Sequence, residues 1–199
     1  MCFILLIQGC NKVSFHSLDK AEKINVDATF VDSFLKNYFH KSVSKNIPII
    51  ISEELCPFFL KRKGPMTSCE ELLEQAEKKD KNIFEAANDY CLKNIGGNKI
   101  DSISPLTVKH RILTQDQFAQ IYNNGGWKLF YKKFSGAEGF VRLSRPGFGK
   151  NGNIAVFYML NSYSFRGTER TGGYGKFYIM EKIDGKWIES NMSIGGLYH

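Results

Sequence analysis

Residues 153–187, NIAVFYMLNSYSFRGTERTGGYGKFYIMEKIDGKW, decide the fold. Two β-rich runs, NIAVFYMLNSYSF (153–165) and GKFYIMEKI (175–183), flank a polar, glycine-bearing loop and show the period of two that a strand requires. Asp184-Gly185 then separates EKI from KWI. That dipeptide is the strongest short hairpin signal available, because a two-residue turn of this kind needs positive φ at both central positions. Working outward, GFVRLSRPGF (139–148) leads into a second turn at Asn151-Gly152, and KWIESNMSI (186–194) follows the hairpin. The expected C-terminal part is a four-stranded antiparallel meander over 139–195.

Upstream the period is helical. In DATFVDSFLKNYFHKSV (27–43), Phe30, Phe34 and Tyr38 form one row and Val31, Leu35 and Phe39 the next, with Asp27 as the expected N-cap. Asn46 and Pro48 end the run, and IPIII (47–51) reads as a short buried strand. His40 stands at the helix end, where the dipole favours a cation. Ser68 and Glu71 form a capping-box pattern opening a second helical stretch that closes at Gly96-Gly97. NKIDSISPLTVKHRIL (98–113) reads as linker and extended chain. Thr114 and Gln117 make another capping box, and the helix they open is closed by Gly125-Gly126 before the aromatic turn WKLFYKKF (127–134). The fold class expected is α+β: a single domain over 27–199, its helical N-terminal half (27–134) packed on the C-terminal four-stranded antiparallel meander.

The opening residues, MCFILLIQGC (1–10), bear on location. Ile7-Gln8-Gly9-Cys10 resembles a bacterial lipobox, with an apolar residue three before the cysteine and glycine just before it, after a minimal apolar core without a basic n-region. Read this way, residues 1–9 are a lipoprotein signal, Cys10 is the lipid-attachment site, carrying palmitate-type acyl chains, and residues 10–26 are a polar tether. The alternative is a cytosolic protein with residues 2–7 as a core strand. No apolar run approaches the ~18–20 residues of a membrane-spanning helix.

Cysteine chemistry turns on one ambiguity. A continuous helix over 69–91 would separate Cys69 and Cys91 by roughly 33 Å, whereas a hairpin turning at KKDK (78–81) would bring them to the same end, within bridging reach. The absence of Gly or Pro in KKDK favours the continuous helix; Cys69 and Cys91 stand as the candidate disulfide. No CxxC and no Cys–His spacing suggests zinc, so neither metal nor cofactor is expected.

Charge is unevenly distributed. The net +7 lies in residues 128–176, which hold nine Lys and Arg against Glu138 and Glu169. Arg142, Arg145, Arg166 and Arg170 are the candidate anion-binding residues, since guanidinium forks suit phosphate or carboxylate groups. Tyr163 and Tyr174 lie where they could stack on a ligand ring. Gly147–Gly152 matches GxGxxG, but no helix follows to supply a phosphate-binding N-terminus and too little chain remains for a kinase. Gly175-Lys176 lacks the first glycine of a P-loop, because position 170 is Arg. No pair among the four His residues is placed for metal binding or nucleophilic catalysis.

One resemblance emerges in the C-terminal third. WxxFYKKFSGxxG (127–139), LSRPGF (143–148), NIAVFY (153–158) and GGYGKFYIMEKIDGKW (172–187) are similar to a module of uncharacterised secreted and lipoprotein-type proteins of Bacteroidetes-like bacteria. Members often carry two cysteines in the glycine-rich loop, where this chain has SYSFRGTERTGG, with arginines and no cysteine. The resemblance implies export and supplies no catalytic residues. The expectation is a lipid-anchored envelope protein, on the periplasmic side or at the outer membrane, acting as a non-enzymatic binding module with a basic β-face. Its expected partners are the membrane, through the anchor, and an anionic ligand or envelope protein, with no nucleic acid. The alternative in another class is a hydrolase whose carboxylates converge only in three dimensions.

Overall fold

A long antiparallel hairpin forms the spine of the molecule. In the computed structural model, which describes residues 15–55, 69–94, 99–103, 105–164, 171–192, 194 and 196–198, β5 (Ile154–Ser164) pairs with β6 (Thr171–Ile183) from Ile154↔Glu181 to Ser164↔Thr171. The next turn has positive φ at both Asp184 (50°) and Gly185 (77°), and it delivers β7 (Lys186–Glu189) antiparallel onto β6.

The sheet differs from the expected meander. Among the described residues it has eight strands in mixed pairing, with the order β2-β1-β3-β5-β6-β7 and with β4 on β5 and β8 on β6. GFVRLSRPGF splits into β3 (Phe140–Leu143) and β4 (Gly147–Phe148), and β8 is Gly196–Tyr198. Two strands come from the supposed helical half: β1 (Ile49–Ser52) and β2 (His110–Leu113). β1 runs parallel to both β2 and β3. Up to Lys133 helices are therefore interrupted by strands, so the N-terminal part is not a clear helical half, and the described elements from Phe140 onward are all strands. The reason is physical: parallel partners need a long crossover rather than a tight turn, so their pairing leaves no local sequence mark.

Helices cover both faces. α1 (Phe15–Tyr38) lies on one, where Phe30 and Phe34 pack edge-on to Phe157 with centroids at 5.4 and 4.9 Å. The same core includes Ile51, Leu143, Met159 and Tyr178. On the opposite face, α3 (Cys69–Glu77) and α4 (Lys81–Asn94) cover Val156, Phe177 and Ile179. Beside them α5 (Gln115–Lys133) covers Ile50, Leu113 and Phe140. Each of these fully buried Ile or Phe side chains contributes about 1.5–3 kcal/mol of transfer free energy. α5 carries the expected Thr114–Gln117 capping box and kinks at Gly125-Gly126, where φ at Gly126 is 57°.

Two local expectations are corrected. α1 begins at Phe15 and takes in residues 15–26 of the expected tether, so Asp27 lies mid-helix rather than at an N-cap. The stretch after Cys69 is a hairpin, not one continuous helix. The chain turns between α3 and α4, and Asp80 Oδ1 accepts the Asn82 N–H at 2.7 Å at the start of α4, so an Asx turn does the work that no Gly or Pro was present to do. A disulfide joins Cys69 to Cys91 across this hairpin, with Cα atoms 6.0 Å apart. The Ser68 capping residue and Cys56 lie outside the described residues, as do residues 1–14, including Cys10.

Candidate functional site

β3 side chains alternate across the sheet, so Arg142 points to the α5 face, where its guanidinium donates to Gln115 Oε1. Arg145, past the strand end, reaches α1 instead. Its Nε and Nη2 donate to Asp27 Oδ2 at 3.2 and 2.9 Å, its backbone N–H donates to Asn94 Oδ1, and its carbonyl accepts from Asn94 Nδ2. Asp27 is 1% exposed and also pairs with Lys93, which in turn bridges Asp89. Burial raises the Asp27 carboxyl above its ordinary value against the pull of Lys93 and Arg145. Arg145 therefore ties α1 and α4 to the strand end, and it shares no surface with Arg142. Arg166 and Arg170 lie outside the described residues.

The glycine-rich stretch is also structural. A Cβ on Gly147 would lie 2.1 Å from Tyr90 N and 2.3 Å from Ala86 O, so glycine lets β4 lie directly on α4. The Phe148 N–H donates to Asp89 Oδ2 at 2.8 Å, which closes the contact.

A different part of the molecule has the character of a site. Where α1 ends over the free end of the β5–β6 hairpin, a cavity of about 320 Å³ opens on the α1 face. Tyr38 from the last position of α1, with His40 and Lys41 from α2 (His40–Ser44), forms one wall. Tyr163 and Asn161 of β5 and Tyr174 of β6 form the floor, and Glu138 closes the side. The period of two makes this possible: 161 and 163 share a face, and Asn161 is paired with Tyr174 across the ladder. Tyr174 is 6.4 Å from Tyr38 and 6.3 Å from Tyr163 between ring centroids.

Supporting contacts hold the walls. Phe34 stacks on Tyr38, one helical turn below it, and Tyr178 lies edge-on at 6.0 Å. Burial pushes the hydroxyls of Tyr38 and Tyr178 above the ordinary phenol range, so both remain neutral hydrogen-bonding groups. Buried Ser42 donates to Glu138 Oε1 at 2.6 Å and so fastens α2 to the turn before β3. At the hairpin end, the Ser164 N–H donates to the Tyr131 hydroxyl at 3.2 Å and Trp127 Nε1 donates to Thr171 Oγ1 at 3.2 Å. α5 thereby fixes both residues that flank the 165–170 connection.

Asn161 stands out chemically. It is 5% exposed, and its buried Oδ1 has no hydrogen-bond partner among the described residues. The amide lies against Gly139, whose φ of 146° and absent Cβ make the space: a methyl group there would sit 2.4 Å from Oδ1. An orphaned buried amide group costs about 1–3 kcal/mol, which a fold retains where something else compensates. Two roomier hollows, about 510 Å³ along α4 and about 450 Å³ under α5, have no such atom among their lining residues.

Of the sequence-derived candidates, Tyr163 and Tyr174 are brought together here, while Arg142 and Arg145 are not. Tyr38, Asn161 and Glu138 were missed because their only link to the site is spatial. Among the described residues, no group of His, Cys, Asp and Glu side chains could hold a metal ion. Comparison with protein-family models, with curated proteins and with solved structures finds no match to this chain.

Proposed function

We propose that the protein is a non-enzymatic binding module whose ligand enters the tyrosine-lined cleft, and that it works at the bacterial cell envelope on a Cys10 lipid anchor. The observation that carries the binding reading is Asn161: a nearly buried amide with an unpaired oxygen, among the lining residues of a cavity that also holds three tyrosines. Functional pockets combine such aromatic walls with few, fixed polar groups. Among the described lining residues Glu138 is the one carboxylate, which favours binding over the two-carboxylate chemistry of glycoside hydrolysis.

Substituting Asn161 with leucine, a residue of similar shape, tests this without knowledge of the ligand. An amide kept for ligand recognition is a burden on the empty protein, so Asn161→Leu is expected to leave stability unchanged or raise it by up to about 1 kcal/mol in urea unfolding. A loss of more than about 2 kcal/mol would mean that the amide serves the fold and would remove the reading.

The envelope assignment rests on the lipobox-like Ile7-Gln8-Gly9-Cys10 and the family resemblance, and it is supported by the Cys69–Cys91 disulfide, since structural disulfides persist in oxidising compartments. No helix among the described residues is long and apolar enough to cross a membrane, so attachment in this reading falls to the acyl chains. Palmitate labelling of cells is expected to mark the wild-type protein and not Cys10→Ser. Label on both, or on neither, contradicts the anchor.

A further inference from the structure

We infer that the ligand of the tyrosine cleft is a carbohydrate, held by one uncharged pyranose ring; this rests on the cleft being the binding site and names what it takes. Three features select the class. The first is ring geometry. A planar aromatic ligand sandwiched between two side-chain rings needs about 7 Å between them, two contact gaps of roughly 3.5 Å each. Tyr38 and Tyr174 are only 6.4 Å apart and inclined at 42°, and Tyr163 stands at 63° to Tyr174. No parallel slot exists. A sugar needs only one aromatic face for its C–H side and polar groups for the hydroxyls at its rim, and the lining holds residues of both kinds.

The second feature is the amide. Asn161 combines a carbonyl acceptor with NH₂ donors, and its oxygen is unpaired. A sugar hydroxyl both donates and accepts, so it can satisfy either end of the amide. An ionised carboxylate can only accept, and a phosphate group is dominated by anionic acceptor oxygens. The third is charge. The lining carries both Glu138 and Lys41, with the carboxylate held in place by Ser42. A strong anion would face that carboxylate, whereas sugar hydroxyls would donate to it and accept from the lysine. The cavity, about 320 Å³, is at the small end of ligand pockets and matches one ring and its substituents rather than a long chain.

The experiment is saturation-transfer NMR on the full chain with four probes: methyl β-glucoside, N-acetylglucosamine, inorganic phosphate and benzoate. It is repeated on Asn161→Ala and Tyr174→Ala, with Tyr174→Phe as the variant that keeps the ring, and thermal melts confirm that each is folded. At least one of the two sugars is expected to bind with millimolar affinity, with transfer strongest to ring C–H protons. Both alanine variants should weaken it by about tenfold or more, and Tyr174→Phe by much less, because stacking survives loss of the hydroxyl. Phosphate or benzoate bound in the cleft with no sugar bound would overturn the carbohydrate assignment and leave the cleft as a binding site. Sugar binding indifferent to both alanine variants would overturn it as well, by placing the sugar elsewhere. No probe bound at all would overturn the assignment and also count against the binding reading beneath it.

Discussion

At the residue scale, the two arginines of β3 and its exit look equivalent in the sequence and are not equivalent in the molecule. Arg142 makes a side-chain contact at the edge of α5, whereas Arg145 neutralises a carboxylate that is 1% exposed. Removing one partner of a buried pair leaves the other desolvated and uncompensated. Arg145→Ala is therefore expected to destabilise the fold by about 3 kcal/mol, with Lys93 limiting the damage, and Arg142→Ala by about 1 kcal/mol or less, both read by urea unfolding. Equal effects would contradict the assignment of Arg145 to structure. Asp32 gives a pH signature. Burial alone would raise its carboxyl, but Lys36, Thr107 and Val108 all donate to it and hold it below its ordinary value. A carboxyl lowered in the folded state contributes stability above its unfolded pKa, and that contribution is lost as pH falls through the folded value. The stability gap between wild type and Asp32→Asn should accordingly be wide at about pH 6 and narrow toward about pH 3. A gap that widens in acid would show that the sign is wrong. Asp27, whose carboxyl is raised, acts in the opposite sense and favours the fold on the acid side of its folded value.

At the element scale, legibility follows how local the determinant is. The Asp184-Gly185 turn and the Thr114–Gln117 capping box were readable because each is complete within a few residues. The Gly125-Gly126 break was readable for the same reason. Asp27 misled because an acidic residue before an apolar helical row is the mark of an N-cap, yet here the helix continues through it and the carboxylate answers Arg145, distant in sequence, just past the end of β3. The KKDK turn was underweighted because it uses an Asx contact at Asp80. The resulting helix hairpin gives a further prediction. Cross-linking residues 69 and 91 removes loop entropy from the unfolded chain, worth about 2–4 kcal/mol. Cys69→Ser should lower stability by that order and make unfolding insensitive to dithiothreitol, while the wild type stays sensitive. A wild type indifferent to reductant would contradict the bridge.

At the scale of the whole molecule, the mixed sheet explains why the site was harder to see than the strands. β1 is a four-residue run of continuous burial, and β2 has an exposed centre, so neither announces a partner. Only the crossover that carries α5 over β1 brings β2, β1 and β3 side by side and lets α5 reach the Ser164–Thr171 end of the β5–β6 hairpin. The cleft then forms from pieces scattered along the chain: the end of α1, the start of α2, the Glu138–Gly139 turn and two strands. Tyr163 and Tyr174 were visible as ring platforms flanking a basic loop, but an amide such as Asn161 carries no sequence mark of being buried and unpaired. That amide is the mark of the proposed ligand site. The most direct test is amide-resolved NMR of the isotopically labelled protein during titration with a pool of small sugars, amino acids and phosphate esters. The predicted result is that the Asn161 side-chain NH₂ resonances shift together with the backbone amides of Gly139, Ser162 and Tyr174. Shifts gathered instead along α4 or beneath α5, with those resonances unmoved, would contradict it.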